Sequence, residues 1–588
     1  MLAITLLAIP IGVLASVVAL ALLRLIGFFT NIFFFRRVAF DLITPAGNHL
    51  GWLELFVPVV GGVVIGLMAR YGSERIRGHG IPEAIEAILI NGSKVEPRVA
   101  VLKPLSSAIS IGSGGPFGAE GPIIMTGGAF GSLVAQFLRL TSAERKTLLV
   151  AGAAAGMSAT FAAPVAAVLL AVELLLFEWK PRSAIPVALA SATAAVVRRY
   201  IIGLGPLFPV PPHPEFIGAL GVLGCVLVGI TAGGLAALLT VSVYAAEDGF
   251  RKLPIHWMWW PALGGLVIGA GGLVFPQALG VGYDIIGDML KGGLALNVLV
   301  GVLIVKSIIW SVSLGSGTSG GVLAPLLMMG GALGGLEATF LPNEGLGFWP
   351  LVGMGAILGG TMRSPFTGVI FALELTHDVT ILLPLLVGAF VAHGFTVLVL
   401  KRSILTEKVA RRGYHLSREY ATDPLEILFV REVMRTNVTV LPAHVGLSEL
   451  AGSLSEDGGA TRGQRLYPVL DEDGASLVGV LTRADVRRLL AGRGDGQQLA
   501  DVVKEDVVVA YPDEPLRVVM YRMAETGLTR FPVVEHGAER KLLGMIALAD
   551  MLKATQRHLE EEQRQERVLR LHLLRPFGRR SRVLAARR

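Results

Sequence analysis

The sequence predicts an all-α polytopic membrane domain followed by a smaller α/β region, and three observations lead to this prediction. Hydrophobic residues make up 53% of the 588 residues and charged residues only 16%, and the mean hydropathy is +0.64. This is too apolar for a soluble protein of such length, so most of the chain must lie in lipid. The apolar part contains an internal repeat, and the more polar region after about residue 400 contains a second one.

The cysteine content and the charge exclude several classes of protein. Cys225 is the one cysteine of the sequence, which rules out an intramolecular disulfide framework and a metal site built from cysteines. Much of the net charge of +7 lies in the tail from Arg575 to Arg588. We expect this tail to be a solvated cytoplasmic end near anionic lipid, and not a nucleic-acid-binding segment. No metal site is expected.

Apolar segments follow one another from the N-terminus to about residue 400. The first, Met1 to Phe35, is too long for a signal-peptide core and lacks a basic start, so we expect a retained membrane helix. Several later segments are shorter than the ~20 residues needed to cross a bilayer, and glycine-rich breaks at membrane depth are expected to line a cavity. These segments lie at roughly 51–70, 103–112, 121–139, 147–177, 183–202, 215–245, 257–275, 295–314, 322–340, 348–376 and 381–400.

A glycine-rich stretch beginning at Gly112 organises the apolar part of the chain. It reads GSGGPFGAEGPIIMTGGAFGSL and contains a single acid, Glu120. Proline suits the first turn of a helix because its missing N–H costs nothing there, so the pattern predicts a helix that starts near Glu120 to Pro122. The unpaired N–H groups and the dipole of such a helix start favour an anion.

This stretch recurs 203 residues later, in GSGTSGGVLAPLLMMGGALGGL from Gly315, with half of the aligned positions identical. The acid has no counterpart, because Glu120 aligns with Leu323. Two ordered matches indicate a duplicated membrane domain, and such repeats commonly pack around a midplane site. The second match pairs the segments from Gly152 and Gly353, in which Pro164 and Pro365 each precede an acid, Glu173 and Glu374, by nine residues. The alignment leaves open whether the repeats are parallel or inverted.

A third glycine loop precedes a helical pattern at Gly78-His79-Gly80-Ile81-Pro82. Its glycines and proline resemble those of the other two loops, so we interpret it as another helix start that faces an anion.

The region after about residue 400 starts with basic residues typical of a cytoplasmic exit. Its own repeat pairs Tyr467–Leu470 and Gly479–Asp485 with Phe531–Val534 and Gly544–Asp550. Each copy alternates short β-type runs with amphipathic helical stretches such as Pro515 to Glu525. A linker is expected after Leu490 and a charged helix from His558.

Together these motifs resemble the CLC family of chloride channels and chloride/proton exchangers that carry a C-terminal pair of CBS domains. The loop at Gly78 is similar to the family's GSGIP motif, Gly118-Ala119-Glu120-Gly121-Pro122 to GREGP, and Gly321-Val322-Leu323-Ala324-Pro325 to GxFxP. The resemblance implies a homodimer with one anion pathway per subunit and an inverted repeat with broken helices. It also implies a transport domain over 1–412, CBS domains over 425–492 and 497–556, and a charged helix with a basic tail over 557–588.

The resemblance assigns a role to each motif. Glu120 would be the gating glutamate, whose carboxylate competes with the anion and is released by protonation. A lone acid in an apolar segment is costly and usually functional, which favours this role over a simple helix cap. The implied anion-binding residues are Gly78, His79, Gly80, Ile81, Pro82, Gly118, Gly121, Gly321, Val322, Leu323 and Leu405, with the backbone N–H groups of Val322 and Leu323 as anion contacts.

Four positions depart from the family pattern. His79 replaces a serine that donates to the central anion; a histidine ring can also donate, or can turn away and leave selectivity to the backbone. Ala119 replaces arginine and Leu323 replaces phenylalanine. Leu405 lies where the family usually offers a tyrosine hydroxyl, so the inner anion site is expected to be weaker.

Whether transport is coupled to protons depends on the position after Glu173. Exchangers often carry a second glutamate there, whereas this chain has Leu174, which is typical of the channels although some exchangers also lack the acid. We interpret Glu178 as a cytoplasmic helix-end acid beside Lys180. Glu173 and Glu374 are expected to bond backbone groups at helix ends.

The CBS pair offers a candidate nucleotide site. Asp485 and Asp550 match the family position that bonds a ribose, and Thr482 fits the accompanying hydroxyl position, whereas Ala547 does not. The pair would bind ATP or another adenine nucleotide, or serve as a structural dimer-forming module; no cofactor is expected to be required.

The sequence therefore predicts a protein of the plasma (inner) membrane with cytoplasmic CBS domains, which passes chloride through a pathway gated by Glu120. Passive, voltage- or pH-dependent conduction is favoured over chloride/proton antiport because of Leu174. Further alternatives are selectivity for another anion such as nitrate or fluoride, or a nucleotide sensor with a vestigial pore. The membrane region contains no Walker-type loop and no HExxH, so an enzyme is not expected.

Overall fold

A computed structural model describes residues 2–213, 217–412, 424–445, 464–471, 473–474, 476–491, 499, 503, 507–537 and 540–563. The described chain forms two compact units, one up to residue 404 and one within 405–563. The predicted linker, apart from its first residue, and the basic tail lie outside the described residues.

The regular secondary structure elements of the first unit, within the described residues, are all helical. Its helices are α1 (Leu2–Phe35), α2 (Val57–Tyr71), α3 (Ile81–Leu89), α4 (Pro97–Gly112), α5 (Glu120–Gln136), α6 (Ser142–Phe161), α7 (Pro164–Leu170), α8 (Pro181–Ile201), α9 (Ala219–Arg251), α10 (Trp260–Val274), α11 (Tyr283–Leu290), α12 (Leu296–Gly301), α13 (Ser307–Gly315), α14 (Leu323–Glu337), α15 (Phe348–Met362), α16 (Pro365–Thr376) and α17 (Leu382–Val399). Short π-helical turns continue α7 over Ala171–Leu176 and join α12 to α13 over Val302–Lys306.

Among the described residues, seven helical stretches are long and apolar enough to cross a membrane. They are Leu2–Phe35, Gly51–Tyr71, Pro181–Ile201, Ala219–Arg251, Trp257–Val274, Leu296–Gly315 and Leu382–Arg411. The shorter apolar helices, such as α14 and α15, are protected by the helices around them: nearly all of their residues are buried. This arrangement is the predicted polytopic domain with broken helices.

Local sequence explains the breaks. The apolar segment 147–177 is divided between α6 and α7 at Ala162, which has φ +56°, and the corresponding segment 348–376 is divided at Arg363, with φ +58°. The next helix then begins with Pro164 in one repeat and Pro365 in the other. A left-handed residue ends a helix, and proline with its fixed φ starts the next one.

The two repeats meet with two-fold pseudo-symmetry. Gly118 and Gly321, which are equivalent in the alignment, exchange both of their backbone hydrogen bonds, with N···O distances of 3.2 and 2.8 Å. Such a reciprocal contact, in which each residue makes to the other the bond that it receives, is what a two-fold axis produces. The axis therefore passes between the two glycine loops that the sequence analysis singled out.

The second unit is α/β. Its elements are α18 (Ile404–Arg411), whose first residue still belongs to the first unit, α19 (Pro424–Ile427), α20 (Val430–Val433), β1 (Leu441–Pro442), β2 (Leu466–Leu470), β3 (Leu477–Thr482), α21 (Arg483–Ala491), α22 (Leu516–Thr526), β4 (Arg530–Val534), β5 (Leu542–Ala547) and α23 (Leu548–Gln563). The strands form a sheet of order β1-β2-β3 and a two-stranded sheet β4-β5.

The predicted repeat of this unit is present in the structure. β2–β3–α21 and β4–β5–α23 are antiparallel hairpins that each run into a helix, with a register shift near the end of the first strand in both. A buried cluster of Leu470, Leu477 and Val534 joins the two copies, so they share a hydrophobic core.

Candidate functional site

The starts of α5 and α14 lie beside each other at the pseudo-symmetry axis, and Glu120 lies between them. Its side chain is fully buried, with 0% exposure. The backbone N–H of Ala324, in the first turn of α14, donates to Glu120 Oε1. The acid of the first repeat thus occupies the N-terminus of the equivalent helix in the second repeat, a position that attracts anions because of its unpaired donors and dipole.

The second carboxylate oxygen of Glu120 is also buried. Within the described residues, Oε2 has no hydrogen-bond partner. A buried, half-satisfied carboxylate is costly, so the arrangement favours its exchange with another anion or its neutralisation by a proton. This is the chemistry that a gating carboxylate requires.

Glycine is required around this carboxylate because backbone approaches it closely. A Cβ atom on Gly321 would lie 2.6 Å from Glu120 Oε2 and 2.6 Å from the carbonyl oxygen of Gly118. Real Cβ atoms do not tolerate such distances, so the predicted anion-binding glycines 118 and 321 mark the point where the two repeats touch.

The loop Gly78–Pro82 reaches the same place from a third direction. Gly78 N donates to Thr318 O in the second glycine loop over 3.0 Å, and the carbonyl of His79 packs against Gly121. Gly80 has φ +92° and its N–H donates to Glu83 Oε2 over 2.8 Å, which fixes the start of α3. The structure therefore brings together the three motifs that the sequence placed apart.

Buried polar side chains hold this loop and the second glycine loop in place through hydrogen bonds. Lys103 Nζ donates to the carbonyls of Ile76 and Gly78 over 2.8 and 2.7 Å. The hydroxyls of Ser106 and Ser107 lie 3.2 and 2.8 Å from that of Ser319. His79 itself is only 3% exposed.

Sequence reasoning missed Glu83 and Lys103, which bond the loop Gly78–Pro82, and the buried Lys306, whose Nζ donates to Gly280 O over 2.9 Å. Lys103 lies in an apolar segment, and a lysine there is rare and informative. The repeat offset of 203 takes Lys103 to Lys306, and this match was the signal that could have identified both.

Among the predicted anion-binding residues, Val322 and Leu323 lie in the first unit, whereas Leu405 lies in the second. Val322 and Leu323 are fully buried at the start of α14, directly before the Ala324 amide that bonds Glu120. Leu405 belongs to the second unit, and its membership of the anion site stays a prediction.

Glu173 and Glu374, the two acids at equivalent repeat positions, form reciprocal caps, as expected. Glu173 Oε2 accepts from the N–H of Thr367 over 2.9 Å, in the first turn of α16. Glu374 accepts from the N–H groups of Val165 and Ala166 over 2.9 and 2.7 Å, in the first turn of α7. Each glutamate thus caps the helix that carries, or leads to, the other.

Glu178, the acid that follows Leu174 in the sequence, also has a salt-bridge partner. Leu174 lies buried in the π-helical turn after α7, and Glu178 pairs with Lys180 Nζ over 2.7 Å. Glu178 is therefore the helix-end acid that the sequence predicted.

The predicted nucleotide residues bond other residues of the second unit. Thr482 and Asp485 bond each other at the start of α21, with the hydroxyl 2.6 Å from Asp485 Oδ2. Asp550 accepts from Arg435 Nε and Nη2 over 2.8 and 2.5 Å and from Ala547 N over 3.1 Å. These carboxylates now serve as helix caps, and nucleotide binding stays a prediction.

Across the described ranges, no group of three or more His, Cys, Asp or Glu side chains is arranged to hold a metal ion.

Comparison with known proteins covers both units. The family model described as voltage gated chloride channel matches residues 60–397, and the CBS domain model matches residues 430–492 and 499–557.

Individual relatives and a solved structure are similar to this chain over more than half of its length. A putative chloride channel protein, ClcB-like, from Ralstonia nicotianae is 30% identical over 362 residues, which cover 60% of this chain and 84% of that protein. The H(+)/Cl(-) exchange transporter ClcA of Yersinia pestis is 32% identical over 343 residues, or 55% of this chain and 70% of the transporter. The crystal structure of a eukaryotic CLC transporter superposes with a TM-score of 0.61 at 20% identity and covers 93% of this chain and 98% of that one.

Proposed function

The chain belongs to the voltage gated chloride channel family, and on that premise we propose that it conducts chloride passively across a membrane through a pathway gated by Glu120. The observation behind the gate is the bond from Ala324 N to Glu120 Oε1. In this position the carboxylate fills the place at two helix starts that a permeant anion would occupy.

Protonation supplies the release step. A neutral carboxyl group interacts less strongly with an amide N–H and a helix dipole than a carboxylate does. Glu120 would then leave the position, and chloride would be held there by the same donors. Flux is therefore expected to rise as the pH falls.

Proton-coupled antiport is the second candidate. It is supported by the 32% identical relative that is named an H(+)/Cl(-) exchange transporter. Passive conduction is preferred because Leu174, an apolar residue, follows Glu173, and because Glu173 is engaged as a helix cap. Glu120 has the same role in both candidates.

The test is a paired measurement of chloride and proton flux from the purified protein in liposomes, with Glu120→Gln as the matched variant. Glutamine keeps the size of the side chain but cannot be ionised. We expect chloride flux without uphill proton movement, and a pH-dependent flux in the wild type that becomes pH-independent in the variant.

Other outcomes separate the alternatives. A chloride gradient that drives protons uphill would establish antiport and overturn passive conduction. An unchanged pH dependence in the variant would remove Glu120 from the gate. If the protein passed nitrate or fluoride but no chloride, the substrate would be another anion.

The proposal also covers the oligomeric state of the protein and its location in the cell. We place the protein as a homodimer in the plasma (inner) membrane with the CBS pair in the cytoplasm, and we propose that the pair binds an adenine nucleotide such as ATP near Asp485 or Asp550. Thermal melting of the full-length protein with and without ATP tests this: a rise in melting temperature that is lost in Asp485→Asn is the expected result.

A further inference from the structure

A buried ion pair joins three connections between helices at one end of the membrane unit. His213, from the connection between α8 and α9, places Nδ1 2.5 Å from Oδ2 of Asp378, which lies between α16 and α17. The other ring nitrogen, Nε2, lies 2.9 Å from the carbonyl oxygen of Leu346, between α14 and α15. The paired side chains are only 3% and 2% exposed. None of these three residues is among the predicted anion-binding residues.

The hydrogen-bond partners of the His213 ring determine its protonation. A carboxylate and a backbone carbonyl are both acceptors, whereas a neutral imidazole has a single N–H group to donate. Because the ring faces an acceptor at each nitrogen, only the imidazolium form, with two N–H groups, satisfies both neighbours.

Asp378 is held in its charged form. Its Oδ1 accepts from the N–H of Thr380 over 3.1 Å and lies 2.5 Å from the Thr380 hydroxyl, and Oδ2 also accepts from the backbone N–H of His213 over 3.3 Å. Burial raises the pKa of Asp378, but the bonds from Thr380 and His213 outweigh burial and leave the pKa below its usual value. Donors to a carboxylate favour its ionised form, so the proton of the pair lies on the ring of His213.

Asp378 supplies the charge that faces this ring within the described residues. From the other connections the ring meets the carbonyl of Leu346 and the edge of Phe348, whose centroid lies 5.6 Å away, and neither of these groups titrates. Leu346 and Val379, which adjoin the bonded groups, are 65% and 69% exposed. Both lie outside the stretches that are long and apolar enough to cross a membrane. The pair is therefore buried one residue away from the surface of the unit.

The pair holds the end of a segment, 203–213, that inserts an aromatic ring into the membrane unit. The N–H of Phe208 donates to the carbonyl of Leu375, in the last turn of α16, over 2.9 Å. The buried ring of Phe208 meets Tyr283, at the start of α11, with centroids 6.0 Å apart. Tyr283 in turn meets Phe161, at the end of α6, at 6.2 Å. The segment is thus anchored at Phe208 and again at His213.

We propose that His213 and Asp378 form a proton-dependent latch, which holds the segment 203–213 against the membrane unit while the ring is protonated and releases it when the proton is lost. Deprotonation leaves one of the two acceptors without a donor, and breaking a buried ion pair is strongly destabilising. The latch goes beyond the proposed function, because it requires neither Glu120 nor chloride.

The direction of the pH dependence follows from proton linkage. The closed latch keeps a proton that a solvated imidazole releases at about pH 6.5. A rise in pH therefore favours the open form, and an equilibrium linked to one proton changes by up to about tenfold for each pH unit. The stabilisation by the latch is fully present below about pH 6.5 and decreases above it.

Cysteine labelling of the full-length protein in detergent tests the release. Phe208→Cys places a thiol at a buried position of the segment, and Leu204→Cys places one at a position that is 79% exposed, which corrects for the pH dependence of the reagent. We expect the labelling rate of Phe208→Cys relative to Leu204→Cys to rise at least about tenfold from about pH 6 to about pH 9. When Asp378→Asn is added, the ratio should be high at both pH values. The buried Cys225 should stay unlabelled throughout.

Thermal melting is a second measurement that leaves Phe208 in place. Between the same two pH values, we expect the wild type to lose about 2 °C or more of melting temperature relative to His213→Gln, whose side chain does not titrate. His49→Gln is the matched control: it removes an exposed histidine of the same unit, and it should keep the wild-type pH dependence.

Three outcomes would overturn the latch. The first is a relative labelling rate of Phe208→Cys that does not change with pH, and the second is a wild-type pH dependence of melting in His213→Gln. The third is labelling of Cys225 together with Phe208→Cys, which would show unfolding of the whole unit. Absence of chloride flux alongside the expected labelling would refute the proposed function and leave the latch in place.

Discussion

At the scale of single residues, the site depends on how closely backbone can approach one carboxylate. Glu120 is fully buried, with one oxygen bonded to Ala324 N and the other without a partner in the described chain. This environment disfavours a permanently ionised side chain unless a nearby charge compensates. A gate needs such a balance, because two states must lie within a few kcal/mol of each other.

Gly321 is a position where this balance can be tested by adding one methyl group. In Gly321→Ala, the new Cβ would lie 2.6 Å from the position of Glu120 Oε2, so the methyl group would take space that the carboxylate, or the anion that replaces it, requires. We expect chloride flux to fall at least about tenfold, which corresponds to ~1.4 kcal/mol. The measurement is flux per folded protein in liposomes.

Gly234→Ala is the control for this substitution. Gly234 lies in α9, and a Cβ there meets no atom within 4 Å, so alanine should preserve flux and raise helix stability slightly. Wild-type flux in Gly321→Ala would contradict the close approach around Glu120.

His79 in the first glycine loop replaces the serine of the family motif, and its role in anion binding stays a prediction. His79 is buried beside the point where its carbonyl meets Gly121. Its burial agrees with either interpretation, in which the ring donates to an anion or the backbone alone carries selectivity.

At the scale of elements, short helices are held by acids from the opposite repeat. α7 has seven residues and α16 has twelve, and their exposed first N–H groups would be unsatisfied in lipid. Glu374 and Glu173 supply the missing acceptors from 208 and 194 residues away. The duplication thus stabilises each half through the other.

Removing either cap should cost a similar free energy of unfolding. We expect Glu173→Ala and Glu374→Ala each to lower stability by about 1–3 kcal/mol, because each leaves N–H groups of a helix start without an acceptor at membrane depth. The measurement is the thermal melting temperature of the purified protein in detergent.

Glutamine substitutions of Glu173 and Glu374 distinguish a structural role from proton transfer. Proton transfer through Glu173 would appear as a loss of proton flux in Glu173→Gln while Glu374→Gln retains it. Equal behaviour of the two variants supports capping alone.

At the scale of the whole molecule, the membrane unit is one duplicated domain with a single site at its pseudo-symmetry axis. The bonds between Gly118 and Gly321 place this axis next to Glu120. Only one repeat carries the acid, since Leu323 holds the equivalent position. Each chain therefore has one candidate gate.

A homodimer should then contain two independent gates. In a covalently linked dimer with one Glu120→Gln copy, we expect about half of the pH-dependent chloride flux to remain, because each subunit would gate its own pathway. The measurement compares this dimer with linked dimers that carry two wild-type or two substituted copies. Complete loss of the pH dependence from one substitution would instead indicate a shared pathway.

Much of this architecture was predictable because its signals are local. Hydropathy identified the membrane segments, glycine and proline identified the starts of α3, α5 and α14, and the single acid in an apolar helix identified Glu120. The two matched segments in one order also identified the duplication, and the alternation of β-type and helical runs identified the second unit. Such patterns act within a few residues of the chain, where propensity and capping decide the structure.

What tertiary structure alone decided is which distant groups meet. The Ala324 amide bonds Glu120 across 204 residues, and Lys306 Nζ donates to the carbonyl of Gly280 from a π-helical turn that no sequence motif had identified. The roles of Leu405 and of the predicted nucleotide residues likewise depend on partners that the sequence does not name. The chain by itself thus determined the helices, the duplication and the position of the candidate gating acid, whereas the amides around that acid are set by packing between repeats, because long-range contacts leave no local pattern.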